Sequence, residues 1–478
     1  MTEMPRGWTT SRLADIADVR LGRQRSPKNA TGDRMRPYLR AANVKWGGLE
    51  LSDVNEMAFT EAESETYELR PGDLLLGEAS GSPSEVGKPG QYKGEISGCC
   101  FQNTLLRVRL PDGLLPGFYE HYFREQALNG KFAAGSRGVG IHHLGAAALS
   151  DWQIPVAPTS EQERVITAIE EAFSKLDAGE AGLRTVRQLL KRTREAILAA
   201  AVIGCLAPQD PTDTPTTKLL AELGVRPLAN RGLGTLPESW EWASLGDVSA
   251  IGGGIQKQPK RAPRMNALPF LRVANVGKGS LDLSEMHTIE VFEGEVSRYG
   301  LQRGDLLVVE GNGSPDQIGR AATWHGEIDP CVHQNHLIRV RPSLALLPAY
   351  LELYWNSPDA SRRVQAVASS TSGLHTLSTG KLKVLPVAVP PIGEQERIVV
   401  EAERQLSFVA ACERTVVVGL ALSGALRRSA LKAAFEGRLV AQDPSDEPAS
   451  VLLERIRAER AELDSPKLRR SPRVPSSL

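Results

Sequence analysis

The chain has 478 residues, with 57 basic and 57 acidic side chains and a formal net charge of zero. That length suggests about three structural units, and an apolar share of 41% is ordinary for a globular protein. Neutrality argues against a uniformly basic nucleic-acid-binding surface, although a local basic face can sit inside a neutral total. No uninterrupted apolar run reaches the ~18 residues of a membrane span. The opening Met1-Thr2-Glu3-Met4-Pro5 lacks a secretion signal's basic and apolar regions. The five cysteines, Cys99, Cys100, Cys205, Cys331 and Cys412, show neither zinc nor redox spacing, which points to a reduced, cytoplasmic setting.

In chain order, residues 1–158 alternate short apolar runs with Gly and Pro. Pro37–Val44, Asp73–Leu76, Gln102–Leu110 and Ile154–Ala157 read as strands, and Pro116 through Phe123 as a helix, giving an α+β or mainly β domain. The pattern changes at Ser160. That residue reads as an N-cap, with Glu163 three positions on to close a capping box. Ile169, Leu176, Leu183, Leu190 and Ile197 then recur every seven residues, the seam of a coiled coil. Gly204 is a natural stop, so a helix of roughly 40 residues and about 60 Å is expected over 159–206. A linker rich in Pro, Thr and Gly fills 207–236. A second globular stretch, 237–391, leads into a second long helix, 392–440, opened by Gly393-Glu394-Gln395-Glu396-Arg397. The tail, 441–478, carries one more short helix.

An internal repeat governs this order. Trp8, Pro37 through Val44, Gly72-Asp73-Leu74-Leu75 and Gln102-Asn103 return as Trp240, Pro269 through Val276, Gly304-Asp305-Leu306-Leu307 and Gln334-Asn335, all at an offset of 232. After one added residue the offset is 233, through both Glu-Gln-Glu-Arg motifs and on to Gln209-Asp210-Pro211 against Gln442-Asp443-Pro444. The chain is thus a tandem duplication of a globular head followed by a long helix. If the two apolar seams pair, the second helix runs antiparallel to the first. Two similar heads are then held apart by a helical spacer, with an approximate twofold axis across it.

Catalytic signals are weak throughout. Gly81 through Lys88 resembles a phosphate loop but has one residue too many and lacks the Ser or Thr that meets magnesium. Gly252-Gly253-Gly254 lacks dinucleotide-site spacing. Cys331, His333 and His336 have Cys99, Phe101 and Thr104 as repeat partners, which favours an ordinary strand over a metal site. The adenine-methyltransferase sequence Asn-Pro-Pro-Tyr/Phe is absent, as is a nuclease carboxylate–lysine cluster. The reading is a non-catalytic chain with no cofactor or metal of its own.

Recognition remains, because two heads sharing a frame but differing in their loops suit two different short targets. The candidate DNA-binding residues of the first head are Arg23, Gln24, Arg25, Lys28, Arg40, Asn43, Lys45, Ser80, Ser82, Lys88, Arg137 and His142. In the second they are Gln256, Lys257, Lys260, Arg272, Asn275, Lys278, Asn312, Ser314, Arg320, Ser370 and His375. Arg and Lys suit guanine edges and phosphates, while Asn and Gln suit adenine edges.

The order of parts resembles the specificity subunit of type I restriction–modification systems. So do the Gly-Asp-Leu-Leu strands, the proline-rich strands Ile154–Pro158 and Val387–Pro391 running into Glu-Gln-Glu-Arg, and the closing Ala434 through Val440. The resemblance covers nearly the whole chain. It implies two target-recognition domains, each reading half of a bipartite double-stranded DNA site. It also implies two helices that dock two methyltransferase subunits and, through them, restriction subunits; S-adenosylmethionine and methyl transfer to adenine N6 then belong to the partner. Heads about one helical turn apart on DNA, ~34 Å, would leave about 6–7 base pairs unread. A DNA-reading subunit of a methylation-only or other phage-defence complex is the alternative, and a coiled-coil scaffold without DNA binding the reading of another class.

Overall fold

The computed structural model describes residues 4–134, 140–312, 317–371 and 374–464. The fold is α+β and duplicated, and it divides into two compact units, residues 1–182 with 419–478 and residues 183–418. Each long helix, Thr159–Val202 and Ile392–Phe435, is one continuous element of 44 residues and contributes one part to each unit.

In the first unit a four-stranded antiparallel sheet runs in the order Asp18–Leu21, Leu105–Arg109, Leu74–Gly77, Pro89–Gln91. The central strand Leu74–Gly77 is fully buried, which a short continuous apolar run predicts, and Leu105–Arg109 is buried up to its last residue. Side chains alternate between faces along a strand. Leu74 and Leu76 accordingly join the core formed with the helix Pro116–Leu128 and the start of the first long helix, while Leu75 joins a second core on the other face. Each such leucine contributes about 1.5–3 kcal/mol by leaving water. Smaller sheets pair Thr9–Arg12 with Gln153–Val156, and Met35–Leu39 with Asn55–Ala58 and Cys100–Phe101.

The second unit repeats this topology. Its four-stranded sheet runs Ser249–Gly253, Leu337–Pro342, Leu306–Val309, Ala321–Thr323, and Glu241–Ser244 pairs with Pro386–Val389. Leu306 and Val308 again face one core and Leu307 and Val309 another.

The two long helices run antiparallel. In the first unit Arg427 donates to Asp177 at 2.6 Å and Ser423 to Glu180 at 2.7 Å; in the second Arg194 meets Glu413 at 3.2 Å. Ile169 and Ile197 of the expected seam are buried, and Leu176, Leu183 and Leu190 half-buried. Both helices end on a glycine of positive φ, Gly204 at 75° and Gly437 at 66°. Cys205 N–H then returns to the Ala200 carbonyl and Arg438 N–H to that of Ala433, the bond that closes a left-handed C-cap.

Three expectations need correction. Ser160 is not an N-cap: the helix already begins at Thr159, and the Ser160 hydroxyl donates to Asp446 at 2.6 Å. The linker contains a helix, Thr216–Glu222, whose Thr216 and Leu220 are buried in the second unit. The second long helix holds a window of mean hydropathy 1.6, long and apolar enough by length and composition to cross a membrane, which a search for uninterrupted runs misses.

Candidate nucleic-acid interface

Two motifs fix the frame on which the candidate readers stand. In Gly-Asp-Leu-Leu, Gly72 takes a φ of 94° that a side chain would disfavour. The buried Asp73 carboxylate accepts both Arg109 donors at 2.7 Å and the Arg70 N–H at 2.8 Å. Gly304, Asp305 and Arg341 repeat this clamp at 2.6 and 2.7 Å. In Glu-Gln-Glu-Arg, the fully buried Gln162 accepts from Leu115 N–H at 2.8 Å and donates to the carbonyls of Ala157, at 2.9 Å, and Gly113, at 3.4 Å. Gln395 binds Leu347 N–H and the carbonyls of Ala345 and Pro390 in the same way. Arg164 pairs with Asp446 at 2.6 Å, and Arg397 pairs with Asp213. The motif is therefore the joint between head and long helix.

The candidate readers separate into two groups. Asn43 and Asn275 are buried and closed on their own turns. Asn43 Oδ1 accepts from Arg40 N–H at 3.0 Å and Nδ2 donates to the carbonyls of Glu50 and Asp53; Asn275 does the same with Arg272, Asp282 and Glu285. Both are buried and have spent both Nδ2 donors, so neither has a donor left for a base. Arg23 lies over the Phe59 ring and pairs with Glu63 at 2.8 Å. Lys88 is tied to Glu85 and lies over Trp46, and Arg320 donates to the carbonyls of Val276 and Val273. Arg40 and Arg272 are partly used, by Asp53 at 2.6 Å and Glu285 at 3.3 Å.

Gln24, Arg25, Lys28, Lys45 and Ser82 of the first head, and Gln256, Lys257, Lys260 and Lys278 of the second, are exposed. The structure brings other candidates together as cross-strand partners: Ser80 stands opposite His142, and His375 opposite both Asn312 and Ser370. The backbone alone is described for Asn312, Ser370 and His375, and Arg137 and Ser314 lie outside the described residues. In the second head a cleft of about 670 Å³ collects Lys257, Arg261, Arg272 and His287 around Phe270 and Met286. This mixture of cations and apolar surface suits phosphates and bases.

Burial accounts for the cysteine and histidine strand. It pushes the Cys331 thiol up to about 12 and lowers His333 to about 4 from its usual 6.5. His333 Nδ1 lies 3.1 Å from the Tyr299 carbonyl, and the Cys331 thiol donates to that of Pro269.

No protein-family model matches the chain. The EcoKI specificity subunit of Escherichia coli K12 is 28% identical over 478 residues, covering 96% of this chain and 97% of its own. The StySPI specificity subunit of Salmonella potsdam is 26% identical, covering 96% of each chain. Both are type I restriction enzyme subunits. The chain is similar to type I specificity subunits along almost its whole length. A solved structure, described as underlying assembly and conformational transition of the type I restriction–modification system, shares the fold. Its TM-score is 0.64 at 18% identity, over 91% of this chain and 99% of that one.

One feature of this specificity-subunit fold escaped the search for readers. The second long helix leaves Val400, Phe408, Val417 and Val418 exposed, Phe408 by 70%. The first helix carries Thr167, Lys175, Arg184 and Thr185 at the repeat-related positions. The sequence signal was available in the apolar residues lying off the heptad seam. Val400, Phe408 and Val418 fall within about a quarter turn of one another around the helix, and exposed apolar surface gathered on one face marks an interaction surface.

Proposed function

We propose that the chain is the DNA-specificity subunit of a type I restriction–modification complex, with each head reading one half of a bipartite double-stranded site. The observation that carries this reading is the duplication. Two heads share one sheet topology and one set of clamps, yet differ in the loops that present their exposed polar residues. The reader set is Gln24, Arg25, Lys28, Lys45, Ser80, Ser82 and His142 in the first head, with Gln256, Lys257, Lys260, Lys278 and the strands around Asn312 and His375 in the second. Arg40 and Arg272 keep free donors for phosphate.

The long helices dock two methyltransferase subunits in the cytoplasm, and these carry the restriction subunits. The exposed apolar face around Phe408 is the contact offered by the second helix. S-adenosylmethionine and the chemistry at adenine N6 reside in the methyltransferase, and this chain positions the DNA. Retardation of duplex DNA by the purified complex tests the reading. Binding that depends on two short sequence blocks at a fixed separation is expected, and binding indifferent to sequence would overturn it.

A further inference from the structure

Within the heads many carboxylates pair with guanidinium groups, as Asp73 does with Arg109, Glu63 with Arg23 and Glu295 with Arg261. Two repeat-related glutamates differ. Glu78 and Glu310 each follow the buried Gly-Asp-Leu-Leu strand and sit two residues before Ser80 and Asn312, where the candidate readers pair across strands. Their backbones are held on both sides. Glu78 N–H donates to the Thr104 carbonyl at 2.9 Å and its own carbonyl accepts from Leu144 N–H at 2.7 Å. Glu310 makes the same two bonds with His336 and Leu377, at 2.9 and 2.7 Å.

Both carboxylates remain partly exposed, and among the described residues each has a histidine as its ion-pair partner rather than an arginine or lysine. His143 Nδ1 lies 3.1 Å from Glu78 Oε1, and His336 Nδ1 lies 3.0 Å from Glu310 Oε2. His143 lies in the strand His142–His143, whereas His336 lies in the turn between Val332–His333 and Leu337–Pro342. His336 stands at the repeat position of Thr104, and Thr376 at that of His143. The same acceptor is thus oriented from opposite sides in the two heads. An imidazole is only a conditional counter-charge, unlike a guanidinium. A carboxylate so placed opposes the approach of a polyanion unless the complex uses it. An ionised carboxylate can only accept hydrogen bonds, and the donors a DNA edge offers it are the exocyclic amino groups of cytosine and adenine.

We propose that Glu78 and Glu310 are specificity-determining acceptors, each taking a hydrogen bond from the amino group of a cytosine or adenine in the major groove of its own half-site. The inference rests on the DNA-reading role proposed above. It is tested with the complex of the full chain and its methyltransferase subunit, S-adenosylmethionine, and duplex libraries carrying the recognised site with each position randomised in turn. For Glu78→Gln, preference for an amino-bearing base should fall about 5- to 150-fold at one position of one half-site, the discrimination a good base contact supplies. The other half-site should keep its preferences. Glu310→Gln should show the same at the opposite half-site. Glu78→Asp keeps the charge but withdraws the acceptor, and is expected to lose the same preference; it decides the matter if Glu78→Gln assembles poorly. Preferences equal to the unsubstituted complex at every position, or a loss uniform over all library members, would overturn the inference. An unsubstituted complex without a two-part site would instead overturn the reading beneath it.

Discussion

Gln162 and Gln395 each satisfy one backbone N–H and two carbonyls from inside the protein. Replacing Gln162 with Ala strands the Leu115 N–H and the Ala157 carbonyl, while the Gly113 carbonyl keeps the Thr159 hydroxyl, at a cost of about 2–4 kcal/mol. Urea unfolding should show this as a fall in midpoint, and an unchanged midpoint would remove the joint from the account. Two buried histidines set a pH dependence. Burial lowers His121 to about 3 and His333 to about 4, from 6.5. Below pH 6.5 the unfolded chain therefore binds protons that the folded chain refuses, so stability falls as pH drops from about 6.5 towards 4. Denaturation midpoints measured across that window should slope downward, and a His121→Phe, His333→Gln variant should flatten the slope. The same scale shows what a sequence hides. Asn43 and Asn275 looked like adenine readers because an asparagine facing DNA and one closing its own turn have identical sequence signatures. Only the Oδ1 bonds to Arg40 and Arg272 distinguish them.

The long helices were legible because a heptad seam and a terminal glycine are local patterns, and the structure returns both. Both starts were placed correctly, but the first N-cap was assigned one residue late, because the Ser160 hydroxyl donates to the distant Asp446 instead of accepting from a first-turn N–H. The helix Thr216–Glu222 was missed because seven residues carry too little periodicity to rise above a linker's composition. The exposed apolar face makes one element-scale prediction. Phe408→Asp should leave the thermal midpoint nearly unchanged, as surface substitutions usually do, while weakening association with the methyltransferase at least tenfold in equilibrium sedimentation. Undiminished association would place the docking surface elsewhere. The helices also serve, in the proposed function, as the ruler for the unread gap. Four residues inserted near Leu183 lengthen the helix by ~6 Å and shift the seam without reversing it. The gap should then grow by one or two base pairs at ~3.4 Å each; an unaltered gap would show that some other feature sets it.

At the scale of the whole molecule, the duplication was the most legible feature, since a single offset carries both heads and both helices. The bases read were not legible. In the proposed function the choice of bases falls to side chains on short loops, and those loops differ between the heads within a shared frame. If the heads read independently, exchanging one of them changes one half-site alone. Residues 1–158 are replaced by the first head of another specificity subunit with a different site, and the methylated motif is sequenced genome-wide in cells carrying the partner methyltransferase. The expected motif has one half-site replaced, with the other half-site and the gap kept. A motif altered in both halves would contradict independent reading.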